Sequence, residues 1–224
     1  MTPEFPPSPL AALTGRSSGE EASPTGGVIQ ASATSVVDST KTTSSRLVGT
    51  LTGKPFQDRQ RGKQLYQGAH AKFVEAKSRE GDAAKDLFSD AAKQFGRAGM
   101  QAPGSALQQD AMFMQAESYF FADQLTDARD AYELLQKEFP RNRHADAVAA
   151  RLFSIGRYWI DVAKVDESSW FSLNFFDSKR PMLDADGNAI RVLDQIRYDN
   201  PTGRLADDAT MAAAAEYIRQ RKFQ

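Results

Sequence analysis

The chain has 224 residues, 41% hydrophobic and 25% charged, so it is long and apolar enough to fold around a buried core. Its formal net charge of −1, from 28 basic and 29 acidic residues, argues against a nucleic-acid-binding protein with a broad basic face. The absence of cysteine excludes disulfides, thiolate nucleophiles and acylated cysteine anchors within this sequence. No apolar run approaches the roughly 18 residues of a membrane span, and no export signal is readable near the start.

The first part of the chain differs in composition from the rest. Residues 1–55 are rich in proline, serine, threonine and glycine and poor in bulky side chains. Such a segment cannot bury enough apolar area to offset the entropy lost on ordering. We therefore predict a disordered tail over 1–55 and a helical repeat domain over 56–224. A docking role for the Pro-Ser segments is the alternative for the tail.

Two amphipathic helices joined by a tight turn are predicted between Ala111 and Pro140. In each helix, apolar residues recur at steps of three and four, which gives the helix one apolar face for its partner. These residues are Ala116, Tyr119 and Phe120 in the first helix, and Ala128, Tyr132 and Leu135 in the second. The pattern predicts a helical hairpin that ends at the proline.

The same pattern recurs along the chain. An alanine precedes a proline by 12 residues three times, and an Asp-Ala pair opens the next helix shortly after each proline. The alanines and prolines are Ala91 and Pro103, Ala128 and Pro140, and Ala189 and Pro201, and the Asp-Ala pairs begin at Asp110, Asp146 and Asp208. Proline cannot continue a helix and disfavours helical angles in the residue before it, so it fixes where each hairpin ends.

Further helices are predicted on both sides of this hairpin. Their expected inward residues are Tyr66, Ala69, Phe73 and Ala76; Leu152, Ile155, Trp159 and Val162; and Ala189, Leu193 and Ile196. In the helix after Gly81, the triplets Ala84–Phe88–Ala91 and Ala91–Phe95–Ala98 fit equally well. In the last helix, over 206–221, Ala214 and Tyr217 match Ala116 and Tyr119, and the array is expected to be cut inside a repeat.

An insertion over 164–188 interrupts the repeats and carries several aromatic residues, Trp170, Phe171, Phe175 and Phe176. One interpretation is that they fold back onto the core, and the other is that they form a partner site. Asp184, Asp186 and Asn188 are spaced like the start of a calcium loop, but Gln195 stands where a glutamate is required, which favours a turn leading into a helix.

The sequence shows no arrangement of residues that supports catalysis or a cofactor. Its two histidines, His70 and His144, have no second ligand at metal spacing, and no phosphate loop or nucleophile motif occurs. We therefore expect a protein that is not an enzyme and holds no metal.

Aligned on Pro140, Ala116 and Ala128 stand where a tetratricopeptide (TPR) repeat of about 34 residues needs close helix contact, and Tyr119 and Tyr132 stand where it needs bulk. The hairpin therefore resembles a TPR repeat. This predicts an all-α, right-handed solenoid of about three and a half antiparallel hairpins behind the tail. First helices are then expected to line a concave groove, with Phe113, Glu117 and Phe121 facing a bound peptide. The alternative is that these phenylalanines pack against the next repeat.

Residues 105–146, SALQQDAMFMQAESYFFADQLTDARDAYELLQKEFPRNRHAD, resemble the BamD-type outer-membrane assembly lipoproteins, periplasmic TPR proteins of Gram-negative envelopes. The resemblance extends over about 60–224. It implies a non-catalytic scaffold at the periplasmic face of the outer membrane that assists β-barrel assembly. It also implies protein partners, no nucleic acid and only indirect membrane association. Phe113, Glu117, Phe121, Trp170, Phe171 and Phe176 are the candidate protein-binding residues.

The sequence departs from this family in lacking the export signal and the lipid-accepting cysteine. The alternatives are therefore a cytoplasmic TPR adaptor or co-chaperone, or an accessory domain of a larger enzyme. No Lys/Asn set that would clamp a C-terminal carboxylate is found on the first helices, which disfavours the adaptor.

Overall fold

The computed structural model describes residues 58–166, 177–181 and 184–220, together with the single residue Pro9. In this part of the chain there are seven helices and no strand, which confirms the all-helical prediction, and each helix packs against the next one in sequence. The helices are α1 (Arg59–Lys77), α2 (Gly81–Met100), α3 (Ala106–Phe121), α4 (Leu125–Glu138), α5 (Ala145–Asp166), α6 (Ala185–Asp199) and α7 (Ala206–Arg219). The predicted tail, the aromatic residues at 170–176 and the last four residues lie outside the described residues.

Local sequence explains where several helices begin. The carboxylate of Asp58 accepts hydrogen bonds from the backbone N–H groups of Gln60 and Arg61, both at 3.0 Å, and so caps α1. Ser105 caps α3 by accepting from the Gln108 N–H at 3.2 Å. The Asp184 carboxylate accepts from the Gly187 N–H at 2.9 Å, so the Asp-rich segment forms the turn into α6.

Prolines mark where two of the helices end. Phe139 and Asn200, which directly precede Pro140 and Pro201, have φ/ψ angles of −132°/75° and −141°/72°. These angles lie outside the helical region, as expected for a residue that precedes proline. The α2 helix ends differently, because it stops at Met100, before Pro103 is reached.

The buried apolar residues form two cores. The smaller core joins α1 and α2 to the end of α3, and the larger core joins α3 to α7. The inward residues predicted for α5, Leu152, Ile155, Trp159 and Val162, are all at most 1% exposed. In α2 both alternative triplets are buried, because a step of seven residues returns to the same face of a helix.

The buried face of α7 is shifted by one residue from the predicted face. Ala214 is exposed and Tyr217 is half-buried, whereas Ala213 and Glu216 are 3% exposed and face the core. Four consecutive alanines, residues 212–215, give the sequence no apolar contrast from which to choose a face. Ala213 is therefore the small residue that faces the core, where Ala214 was expected.

Candidate protein-binding face

A buried carboxylate connects three helices in the middle of the chain. Glu117 on α3 is 8% exposed, and Arg151 on α5 donates from Nε to Oε1 at 2.9 Å and from Nη2 to Oε2 at 3.0 Å. The hydroxyl of Tyr132 on α4 also donates to Oε1. Two-point pairing fixes the relative orientation of the two groups as well as their distance. The network therefore holds α3, α4 and α5 in one arrangement.

The surroundings keep each group of this network in the protonation state that its hydrogen bonds need. Burial raises the pKa of the Tyr132 hydroxyl well above its ordinary value, and the charge of Glu117 raises it further. Burial alone would lower the pKa of the Arg151 guanidinium, but the hydrogen bonds and charge of Glu117 raise it overall. Arg151 therefore stays a cation and Tyr132 stays a donor at neutral pH.

A second cluster joins the start of α3 to the loop before α5. His144 Nε2 lies 3.1 Å from Asp110 Oδ1, and Arg143 forms an ion pair with the same oxygen. The His144 ring stacks on Phe113, with centroids 4.0 Å apart and planes 2° apart. Arg143 is the most open member, with 62% of its side chain exposed. We call Asp110, Phe113, Arg143, His144 and Arg151 the α3–α5 face.

The charges of this cluster stabilise one another. Burial would raise the pKa of the Asp110 carboxyl, but hydrogen bonds from His144 and Arg143, together with their charges, lower it overall. Tyr66 on α1 also lies within the field of Asp110: burial raises the pKa of its hydroxyl and the Asp110 charge adds to the rise. The cluster therefore brings side chains from α1, α3 and the loop before α5 to one place.

The structure places the three α3 residues that were predicted to line a groove in different surroundings. Phe113 lies half-buried against His144, and Glu117 belongs to the buried network. Phe121 packs against Phe73 and Phe88 of the smaller core, with ring centroids 5.7 and 5.4 Å away. These residues do not form one open stripe. Their role in binding, like that of Trp170, Phe171 and Phe176, stays a prediction.

The end of the insertion is attached to the turn between α3 and α4. The indole Nε1 of Trp159 donates to the carbonyl of Lys179 at 2.7 Å, and Thr126 Oγ1 donates to the carbonyl of Ser178 at 3.1 Å. Lys179 Nζ lies 2.8 Å from the carboxylate of Asp123, which is 5% exposed and has a φ of 65°. Aspartate tolerates this left-handed angle better than most residues. Residues 177–181 therefore connect α5 to the start of α4 and the turn before it.

The residues predicted to shape the repeats are buried, half-buried or exposed in loops. Ala91, Ala116, Ala128, Tyr132, Ala189 and Leu193 are each 0% exposed. Tyr119 is half-buried, and Pro103, Pro140 and Pro201 lie exposed in the loops after α2, α4 and α6. The small residues thus stand where helices approach closely, and the prolines stand between them.

Sequence reasoning missed the charged partners of this face. Neither Arg143 nor His144 was predicted to pair with a carboxylate, whereas both pair with Asp110. A signal was nevertheless available in the spacing. Glu117 and Arg151 are 34 residues apart, and so are Asp110 and His144, which is the usual length of the TPR repeat that the sequence was predicted to contain.

The chain matches no protein-family model, no curated protein and no solved structure. Among the described residues, no helix combines the length and the hydrophobicity needed to cross a bilayer. In the same residues no three His, Cys, Asp or Glu side chains come close enough together to hold a metal ion.

Proposed function

We propose that this chain is a non-catalytic, protein-binding scaffold whose helices form TPR-like antiparallel hairpins in a right-handed solenoid. The observation that carries the proposal is the pair of contacts, Arg151 with Glu117 and His144 with Asp110, that join residues 34 positions apart, the usual length of a TPR repeat. Two contacts with the same separation in sequence, both between α3 and the segment that begins α5, support two neighbouring units that pack in one register. Stacked first helices present a continuous surface, which suits an extended or helical polypeptide.

The composition of the α3–α5 face supports a protein as the ligand. Arginine and aromatic side chains dominate the energetics of protein interfaces, and here Arg143 is oriented by Asp110 beside the Phe113–His144 stack. A partly exposed guanidinium that is already held in place loses little further entropy on binding. Arg143 and Phe113 are therefore the residues that we expect to contribute most.

The partner class follows from the resemblance of residues 105–146 to the BamD-type lipoproteins. On that resemblance, the chain acts at the periplasmic face of the outer membrane and assists the assembly of β-barrel proteins. Its partners are then unfolded β-barrel precursors or other envelope assembly components. Its association with the membrane is indirect.

Binding of an unfolded outer-membrane β-barrel protein tests this function. The purified chain is titrated into the fluorescently labelled precursor, diluted from denaturant, and anisotropy is recorded. We expect saturable binding that weakens about tenfold or more in Arg143→Glu or Phe113→Ala. Arg191→Glu, on exposed Arg191 of α6, is the matched control and should bind like the unaltered chain. Absence of saturable binding, or equal loss in the control, contradicts the proposal.

A further inference from the structure

The loops that follow α4 and α6 can be compared position by position. Each contains a proline, and the residue eight positions after each proline is 0% exposed, Val148 in α5 and Ala209 in α7. The corresponding residue of α3, Ala111, is also 0% exposed. Counting from the proline therefore aligns α3, α5 and α7, and it identifies equivalent positions at the two junctions between them.

Large side chains fill the first junction, where α3 meets the loop before α5. Phe113 stacks on His144, and Phe139, at the end of α4, packs against the same core. Asp110, one turn before Phe113, forms its ion pair with Arg143 of the loop. An aromatic ring and a carboxylate three residues apart on one helix thus contact the two loop residues.

Smaller side chains occupy the second junction, where α5 meets the loop before α7. The replacements are Ala147 for Asp110, Ala150 for Phe113 and Asn200 for Phe139. A cleft of about 330 Å³, lined in part by Ala150 and Leu205, lies at this junction. Its volume falls at the small end of the range of roughly 300–1,000 Å³ found for ligand pockets. The cleft therefore lies where counting from the proline places the equivalents of Phe113 and Phe139.

The arginine of the loop is retained although its carboxylate is not. Arg204 stands at the position of Arg143, is exposed and lines the cleft, and it has no ion-pair partner among the described residues. Two carboxylates, those of Asp146 and Asp208, also line the cleft, but neither stands at the position equivalent to Asp110. Asp146 accepts a hydrogen bond from Asn200 at 3.4 Å, and Asp208 lies in the first turn of α7, where the helix dipole favours a negative charge.

We propose that this cleft binds a segment of another protein that carries an aromatic ring and a carboxylate. The ring occupies the space over Ala150 and Leu205, and the carboxylate pairs with Arg204, as Phe113 and Asp110 do with the loop at the first junction. Both interactions replace groups that this chain supplies to itself one repeat earlier. The inference rests on the proposed function as a protein-binding scaffold and adds the chemistry of a partner.

The probe is the peptide N-acetyl-Asp-Ala-Met-Phe-amide, which copies residues 110–113. It is titrated into the full chain, and the NMR signals of the Ala150 methyl group and the Arg204 side chain are followed. Control peptides replace its phenylalanine by alanine or its aspartate by asparagine. Two variants, Ala150→Phe and Asn200→Phe, fill the cleft with the aromatic groups of the first junction. Ala71→Phe, at an exposed alanine of α1, is the matched control.

We expect saturable shifts of both signals, affinity about tenfold weaker without the aromatic ring, and loss of the Arg204 shift in either filled variant. Each filled variant should keep the melting midpoint of the unaltered chain, since the added ring enters open space. No saturable shift, equal shifts with the alanine peptide, or unchanged shifts in a folded filled variant would overturn the inference. If the precursor still binds the chain while the peptide does not, the cleft inference alone fails.

Discussion

Arg151 and Glu117 form a two-point ion pair between α5 and α3, with N–O distances of 2.9 and 3.0 Å. The same guanidinium lies over the ring of Phe120, 4.6 Å from its centroid. A single side chain therefore neutralises a buried charge and covers the aromatic core beneath it. The pair fixes how α5 lies against α3.

Replacing Arg151 with methionine should lower the free energy of unfolding by about 2–4 kcal/mol, because Glu117 is left as a buried charge without its cation. The figure is below that for a fully buried pair because the Arg151 side chain is 25% exposed. The double variant Glu117→Gln with Arg151→Met should be more stable than the sum of the single changes predicts. Denaturant titrations of all four proteins measure this, and additive effects would mean that the pair does not couple the hairpins.

The small residue at the centre of α4 gives a second prediction. Ala128 is 0% exposed, so Ala128→Asp buries a carboxylate without a partner and should cost about 2–5 kcal/mol. Ala215→Asp places the same side chain at an exposed alanine of α7 and should leave stability nearly unchanged. Thermal unfolding followed by circular dichroism compares the two. An unchanged midpoint for Ala128→Asp would remove the TPR-like interpretation of this hairpin.

The buried faces of most helices could be predicted from sequence, whereas the charged contacts between helices could not. Leu152, Ile155 and Trp159 recur at helical spacing, and this local periodicity was enough to identify the buried face of α5. The partner of Glu117 depends on how α5 packs against α3. Helical periodicity within one segment carries no information on the relative position of two helices. In α7 even the face was ambiguous, because residues 212–215 are identical alanines.

The ion pairs of Asp110 predict a loss of stability in acid. The carboxyl of Asp110 has a folded-state pKa below its ordinary value, so its contribution is present above the ordinary aspartate pKa of about 3.9. It is lost as the pH falls through the lower folded-state value. Unfolding free energies measured between neutral pH and acid should therefore fall less steeply in Asp110→Asn. An identical slope would mean that His144 and Arg143 do not stabilise the ionised form.

The attachment of residues 177–181 to the α3–α4 turn gives a further prediction. Asp123→Asn removes the charge that holds Lys179 Nζ at 2.8 Å, so the segment should open more often. The indole N–H of Trp159, which donates to the Lys179 carbonyl, should then exchange faster with solvent. Hydrogen exchange followed by NMR measures it. Asp161→Asn, on a partly exposed aspartate of α5, serves as the control, and equal exchange rates would show that Asp123 does not hold the segment.

Site-specific photo-crosslinking tests most directly whether the chain binds its partner along the α3–α5 face. A benzophenone side chain is placed at Ala147, an exposed residue one turn before Arg151 on α5, or at Leu134, which is 50% exposed on α4. Each protein is then irradiated with an unfolded outer-membrane β-barrel precursor. The account predicts a crosslinked product from position 147 and none from position 134, with the product lost when Arg143→Glu is added. A product from position 134 alone would contradict it.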